Sequence, residues 1–210
     1  MRNNARTRSD ANKYLSAEDY LKLRTYLFNH TYSASEASQL ILAVISATGA
    51  RVGEIIGLKW CDIDFERHQL KIQRSFDSAA RKIKTTKTVS AIRTIPLVKS
   101  VTRLLGLWHE NHPTTEFVFA EDEMGLPKAS SINSAFHHLQ RELGIIPIYS
   151  PHSLRHTVAS LLVARPELDV TYVSRLLGHS NPSITQRYYL RVLPGDHQRE
   201  DMVALNTIAL

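Results

Sequence analysis

Arg51 and Glu54 stand three positions apart in the run Gly49-Ala50-Arg51-Val52-Gly53-Glu54-Ile55-Ile56-Gly57, so a helix there carries both on one face. The run has the look of a phosphate-binding loop but lacks G-x-G-x-x-G, and Lys59 is followed by Trp60 rather than Ser or Thr, which excludes nucleotide triphosphate binding of that kind. By itself such a pair is more often a surface ion pair than a site. His152 and Arg155 repeat the spacing just after Pro151, while Leu154, Val158, Leu161 and Leu162 take the inward face. Two cationic groups at a helix start oppose the helix dipole unless an anion binds there; the competing reading is a capping histidine beside a surface arginine. His179 falls on a turn between Gly178 and Pro182, and Tyr188 follows nine positions later, where a lone tyrosine is usually core or interface.

Together these segments resemble the boxes of the tyrosine recombinase (phage integrase) family, C-terminal catalytic domain. T-G-A-R-V-G-E-I-I-G-L-K-W-C-D-I-D is similar to the first arginine box, and H-S-L-R-H-T and L-G-H-S-N-P-S-I-T-Q-R-Y to the second and third. The stretch from Lys87 through Arg93 to Leu97 resembles the family's lysine-bearing β-hairpin. The likeness runs from about Leu15 to Val192. It implies an α+β fold: a mostly helical catalytic domain with a small three-stranded antiparallel sheet.

The activity it implies is site-specific DNA recombination, with strands cut and rejoined through a 3′-phosphotyrosine intermediate and no metal, ATP or other cofactor. A metal-free phosphodiester cleavage must stabilise a pentavalent, doubly charged transition state. Arg51 and Arg155 suit this, since guanidinium forks match non-bridging oxygens and stay charged. On the same resemblance Tyr188 is the nucleophile, His152 takes its proton, His179 hydrogen-bonds the phosphate, and Lys87 protonates the departing 5′ hydroxyl. Glu54 orients Arg51, and His156 supports His152. Lys84 is the rival to Lys87, because hairpin register is open. Tyr189 is the rival to Tyr188, about 100° away on a helix. His109 with His112 and His137 with His138 lack the carboxylate or cysteine partners of a metal site. Two other readings stay on the table: a non-catalytic DNA-binding module of the same fold, and a type IB topoisomerase-like strand-passing enzyme.

Charge agrees with a polyanion partner. The chain of 210 residues has 26 basic and 20 acidic residues, a net +6. Lys71 to Arg103 hold nine basic residues against Asp77 alone; that +8 leaves −2 for the remainder. Each phosphate neutralised by such a belt releases counterions. Arg74, Arg81, Lys82, Lys84 and Arg93 are therefore expected DNA contacts. The implied partners are double-stranded DNA at a specific crossover site and other protomers assembled on it, a tetrameric synapse from a chain monomeric alone. Accessory DNA-bending or directionality factors are implied too, but no membrane.

The elements needed to position these groups are legible in the pattern. Ser16 and Asp19 resemble a capping box ahead of an apolar stripe at Tyr20, Leu23 and Leu27. A nearly all-apolar helix from about Ser35 to Ala47 is a core helix stopped by Gly49. A short helix covers Arg51–Leu58, and strands are expected at Leu70–Ile72, Arg81–Lys84 and Arg93–Leu97. Helical period returns over 99–109, 130–143, 151–164, 169–177 and 182–192.

Residues 1–13 read as a flexible basic arm or linker, 14–195 as the catalytic domain, and 196–210 as an apolar tail docking in cis or trans. With thirteen residues before the first helix, the chain is expected to be either an isolated C-terminal domain or a minimal member. Cys61 is the sole cysteine, so no intrachain disulfide or multi-cysteine zinc site forms. The Leu40–Ile45 run is too short to span a bilayer, and the opening MRNNARTRSD has no signal-peptide core. A cytoplasmic, bacterial or phage-encoded, nucleoid-associated protein is expected.

Overall fold

A computed structural model describes residues 14–85, 92–112, 115–120, 125–179 and 185. Lys87, Tyr188, Tyr189, the 182–192 helix apart from Thr185, and the two terminal segments lie outside them, as expectations only.

Helix α1 (Ala17–Asn29) begins where Ser16 accepts the Asp19 amide, so the expected cap forms, and Tyr20, Leu23 and Leu27 are its buried face. A 3₁₀ turn at Ala34–Glu36 leads into α2 (Ala37–Thr48). Leu40, Ile41, Leu42, Ala43, Val44 and Ile45 of α2 are all buried, so it is a central helix with neighbours on every side. It packs against α1, against α3 (Val52–Ile56), and against α5 (Ala129–Glu142) and α6 (Pro151–Val163). Each fully buried Leu or Ile side chain contributes roughly 1.5–3 kcal/mol.

Among the described residues the strands form two small antiparallel sheets rather than one. The three-stranded sheet runs β1 (Ile63–Asp64), β2 (Gln69–Ile72), β5 (Arg93–Pro96), with Ile72 opposite Arg93 and Leu70 opposite Ile95. The segment expected as its third strand instead pairs with its own neighbour. β3 (Arg74–Asp77) and β4 (Lys82–Thr85) make a separate hairpin in which Ser75 faces Lys84 and Asp77 faces Lys82. Two residues of β1 take the edge place, a length too short for a sequence period to register.

Helix α4 (Lys99–Asn111) follows β5, and Trp108 donates to the Val118 carbonyl at 2.7 Å. The buried Gln140 side chain then fixes the approach to α6. Its Nε2 donates to the Tyr149 carbonyl at 2.9 Å, and the Tyr149 amide donates back to Oε1 at 2.7 Å. Helix α7 (Val170–Leu177) starts on the Asp169 cap and ends at Gly178. Among the described residues no helix is long and apolar enough to cross a membrane.

Candidate DNA strand-cleavage site

The site is built where three chain segments meet: the loop after α2, the first turns of α6, and the end of α7. Gly49 closes α2 in a left-handed conformation, after which Arg51 is extended at the start of α3. Glu54 returns to it twice, accepting from the Arg51 amide and from Arg51 Nη1, each at 2.9 Å. Arg51 Nη2 donates to the Gly178 carbonyl at 3.0 Å, 127 positions away, and its side chain remains 44% exposed.

Arg155 is buried at 3% exposure. Its Nη1 donates to the Gly49 carbonyl and its Nη2 to the Leu177 carbonyl, both at 2.7 Å. One guanidinium thus pins the loop carrying Arg51 to the helix end carrying His179. The two arginines sit on consecutive carbonyls of α7, where a helix leaves acceptors unmatched and favours cations.

His152 is exposed on the first turn of α6, edge-to-face with His156 at 4.4 Å between ring centroids; His156 in turn meets Tyr14. Partial desolvation, then the charges of Arg155 and Arg51, lower the His152 pKa below that of an ordinary histidine. His179 is pushed down further, to about 4, by desolvation and then by Arg155, Arg51 and Arg93. Both shifts favour the neutral imidazole near pH 7. His179 Nδ1 shares a 2.8 Å hydrogen bond with Oγ1 of Thr185, a fully buried residue that sequence reasoning overlooked.

Glu54 is buried between two arginines. Burial alone would raise its carboxyl, but hydrogen bonds and charge from Arg93, then Arg51, outweigh that and lower its pKa below the usual carboxylate value. Arg93, expected as a DNA contact, is one of these two arginines, buried against the carboxylate. At 8% exposure its Nη1 and Nη2 donate to Glu54 at 3.1 and 2.7 Å, and its Nε donates to the Leu176 carbonyl at 2.7 Å. Arg74 is placed likewise: its guanidinium is bonded to the buried Asp62 carboxylate, which also accepts from the Lys59 amide and Gln73. Position in a basic stretch did not reveal that both guanidiniums turn inward to meet acids.

Arg81, Lys82 and Lys84 are exposed on the hairpin. Arg81 reaches the Leu126 carbonyl at 3.1 Å, and Lys84 pairs with Asp77. The structure thus brings together Arg51, Glu54, His152, Arg155, His156 and His179, whereas Lys87 and Tyr188 fall outside the described residues. Among the described residues no group of three or more His, Cys, Asp or Glu is arranged to hold a metal ion.

The chain is 31% identical over 204 residues to a tyrosine recombinase XerC-like protein of Caldanaerobacter subterraneus subsp. tengcongensis, covering 85% of this chain and 50% of the relative. An integrase of a Staphylococcus phage is 23% identical, covering 85% of this chain and 55% of that one. The chain thus spans about half the length of the curated relatives it matches. In fold it is similar to the Tn1549 transposon integrase in complex with transposon right end DNA, with a TM-score of 0.71 at 19% identity over 94% of this chain and 66% of that one. XerA recombinase is also similar, with a TM-score of 0.66 at 20% identity over 94% and 64%. The family model described as "Phage integrase family" matches residues 13–193, the same span that carries the two arginines, the histidine pair and the His179 turn, and the chain belongs to that family.

Proposed function

We propose that this domain cuts and rejoins DNA strands by transesterification, as part of a site-specific recombinase. The Tyr188 phenol attacks the scissile phosphorus. A P–O bond to tyrosine forms as the bond to the 5′ oxygen breaks, leaving a 3′-phosphotyrosine and a free 5′ hydroxyl. The phenol proton passes to His152, and Lys87 supplies the proton for the departing oxygen. Arg51 and Arg155 carry the charge of the pentavalent transition state, where each such donor is worth on the order of 3 kcal/mol. His179 hydrogen-bonds a phosphate oxygen through Nε2, in the tautomer where the Thr185 hydroxyl donates to Nδ1. The new phosphotyrosyl bond resembles in energy the one broken, so the strands rejoin without ATP.

The observation that carries this reading is the placement of Arg51 and Arg155 on adjacent carbonyls at the His179 turn, beside two histidines whose pKa values are lowered by desolvation and then by those cations. Residues 14–195 are the catalytic domain in this reading, and the 196–210 tail docks on its own or a neighbouring protomer. The DNA-bound state is a tetrameric synapse on double-stranded DNA, joined by accessory factors, in a bacterial or phage-infected cytoplasm.

The test is a library of nicked duplexes of randomised sequence, incubated with the protein in EDTA and resolved under denaturing conditions. A covalent protein–DNA adduct is expected, and it should vanish in Tyr188→Phe while DNA binding persists. An adduct that survives in Tyr188→Phe and is lost in Tyr189→Phe moves the nucleophile by one residue. No adduct from the unaltered protein contradicts the reading.

A further inference from the structure

Three successive carbonyls at the end of α7 each receive a different arginine. Leu176 accepts from Arg93 Nε at 2.7 Å, Leu177 from Arg155 Nη2 at 2.7 Å, and Gly178 from Arg51 Nη2 at 3.0 Å. His179 is the next residue. Two of these arginines hold the proposed phosphate site; the third, Arg93, comes from β5 and is buried.

Arg93 also completes the surroundings of Glu54. Oε1 accepts from Arg51 Nη1 and Arg93 Nη1, and Oε2 from the Arg51 amide and Arg93 Nη2. The carboxylate is thus clamped from the far side by a planar fork, the geometry that fixes a carboxylate in both position and rotation. A carboxylate so fixed, together with the Gly178 carbonyl, holds the half-exposed Arg51 side chain. Gly178 closes the arrangement: a Cβ there would lie 2.7 Å from Arg93 Nη1, so the backbone before His179 rests directly on the guanidinium.

We propose that Arg93 is a positioning residue of the strand-cleavage site, setting Arg51 through Glu54 and the His179 turn through the last carbonyls of α7. It touches no DNA. The assignment rests on the transesterification reading above for its consequence, though not for its geometry.

Arg93→Lys keeps the charge and loses the fork. In protein labelled with ¹⁵N-arginine, the Arg51 Nη signals, separated in the unaltered chain by Glu54 and the Gly178 carbonyl, are expected to merge through rotation in Arg93→Lys. Binding of the captured nicked duplex should stay within about twofold, while the rate of adduct formation at saturating DNA falls at least about tenfold, since misplacement by 1 Å is worth up to about a hundredfold. In a Glu54→Gln background the same change should cost less than in the unaltered chain, because the path through Glu54 is already cut while the Leu176 contact remains to be lost.

Unchanged Arg51 signals with an unchanged rate overturn the proposal, as does a rate loss matched by an equal loss of binding. If the unaltered protein forms no adduct, the transesterification reading fails while the Arg51 signals still decide the positioning. Should Arg93→Lys not fold, Arg93→Gln keeps a planar donor without the fork, and the same merging of Arg51 signals is expected.

Discussion

Thr185 Oγ1 lies 2.8 Å from His179 Nδ1, and Thr185 is wholly buried. When the hydroxyl donates to Nδ1, the imidazole proton stays on Nε2, which then meets a phosphate as a donor. Thr185→Val preserves shape and removes that hydrogen bond. Its expected effect is a roughly tenfold slower adduct formation with DNA affinity retained, the size of one lost hydrogen bond of about 1–1.5 kcal/mol. Single-turnover kinetics on the nicked duplex check it; an equal loss of affinity would speak against a tautomer effect.

Acid should weaken the fold through the same histidine. With the folded pKa near 4 against an ordinary 6.5, the unfolded chain binds more protons between those values, so stability rises with pH there. It is full above about 6.5 and declines as pH falls toward 4. His152, also lowered, acts in the same direction. Glu54 contributes too, but its carboxyl is held down, so its share is lost only below the usual carboxylate range. Melting temperatures at successive pH values should show a shallower fall for His179→Asn than for the unaltered chain between pH 6.5 and 4.

DNA affinity should separate the outward cations from the inward ones. Lys82→Ala is expected to weaken binding to all sequences alike and to reduce the slope of log K against log salt by about 0.9, one phosphate contact. Arg74→Lys and Arg93→Lys should leave that slope unchanged, since both side chains face buried acids. Fluorescence anisotropy over a salt series distinguishes them.

The hairpin is seated on the Arg51 helix by close backbone approach. A Cβ at Gly53 would fall 2.6 Å from the Phe76 carbonyl oxygen and 2.7 Å from Ser75 Oγ. Gly53→Ala must push β3 away from α3, at a cost of about 1–3 kcal/mol. Denaturant unfolding should show a lower midpoint with an unchanged slope.

Much of this protein is settled by local order in the chain. The Ser16 cap, the apolar run of α2, Pro151 at the start of α6 and Gly178 at the end of α7 place Arg51, His152, Arg155 and His179 on helix ends, because capping and hydrophobic period act within a few residues. The order and spacing of those residues also identified the family that the comparison over residues 13–193 supports.

Partners distant in sequence were decided by tertiary structure alone. Nothing in the basic stretch separates Arg93 and Arg74, turned inward to Glu54 and Asp62, from Lys82, which stays in water, since a cation's partner depends on which acid is buried beside it. Strand pairing is another such case: β4 joins β3 and leaves the third place in the larger sheet to two residues of β1, an outcome of register and packing rather than of alternation. The convergence of three guanidiniums on Leu176, Leu177 and Gly178 joins positions 51, 93 and 155 to a single helix end, and only the packed core brings them there.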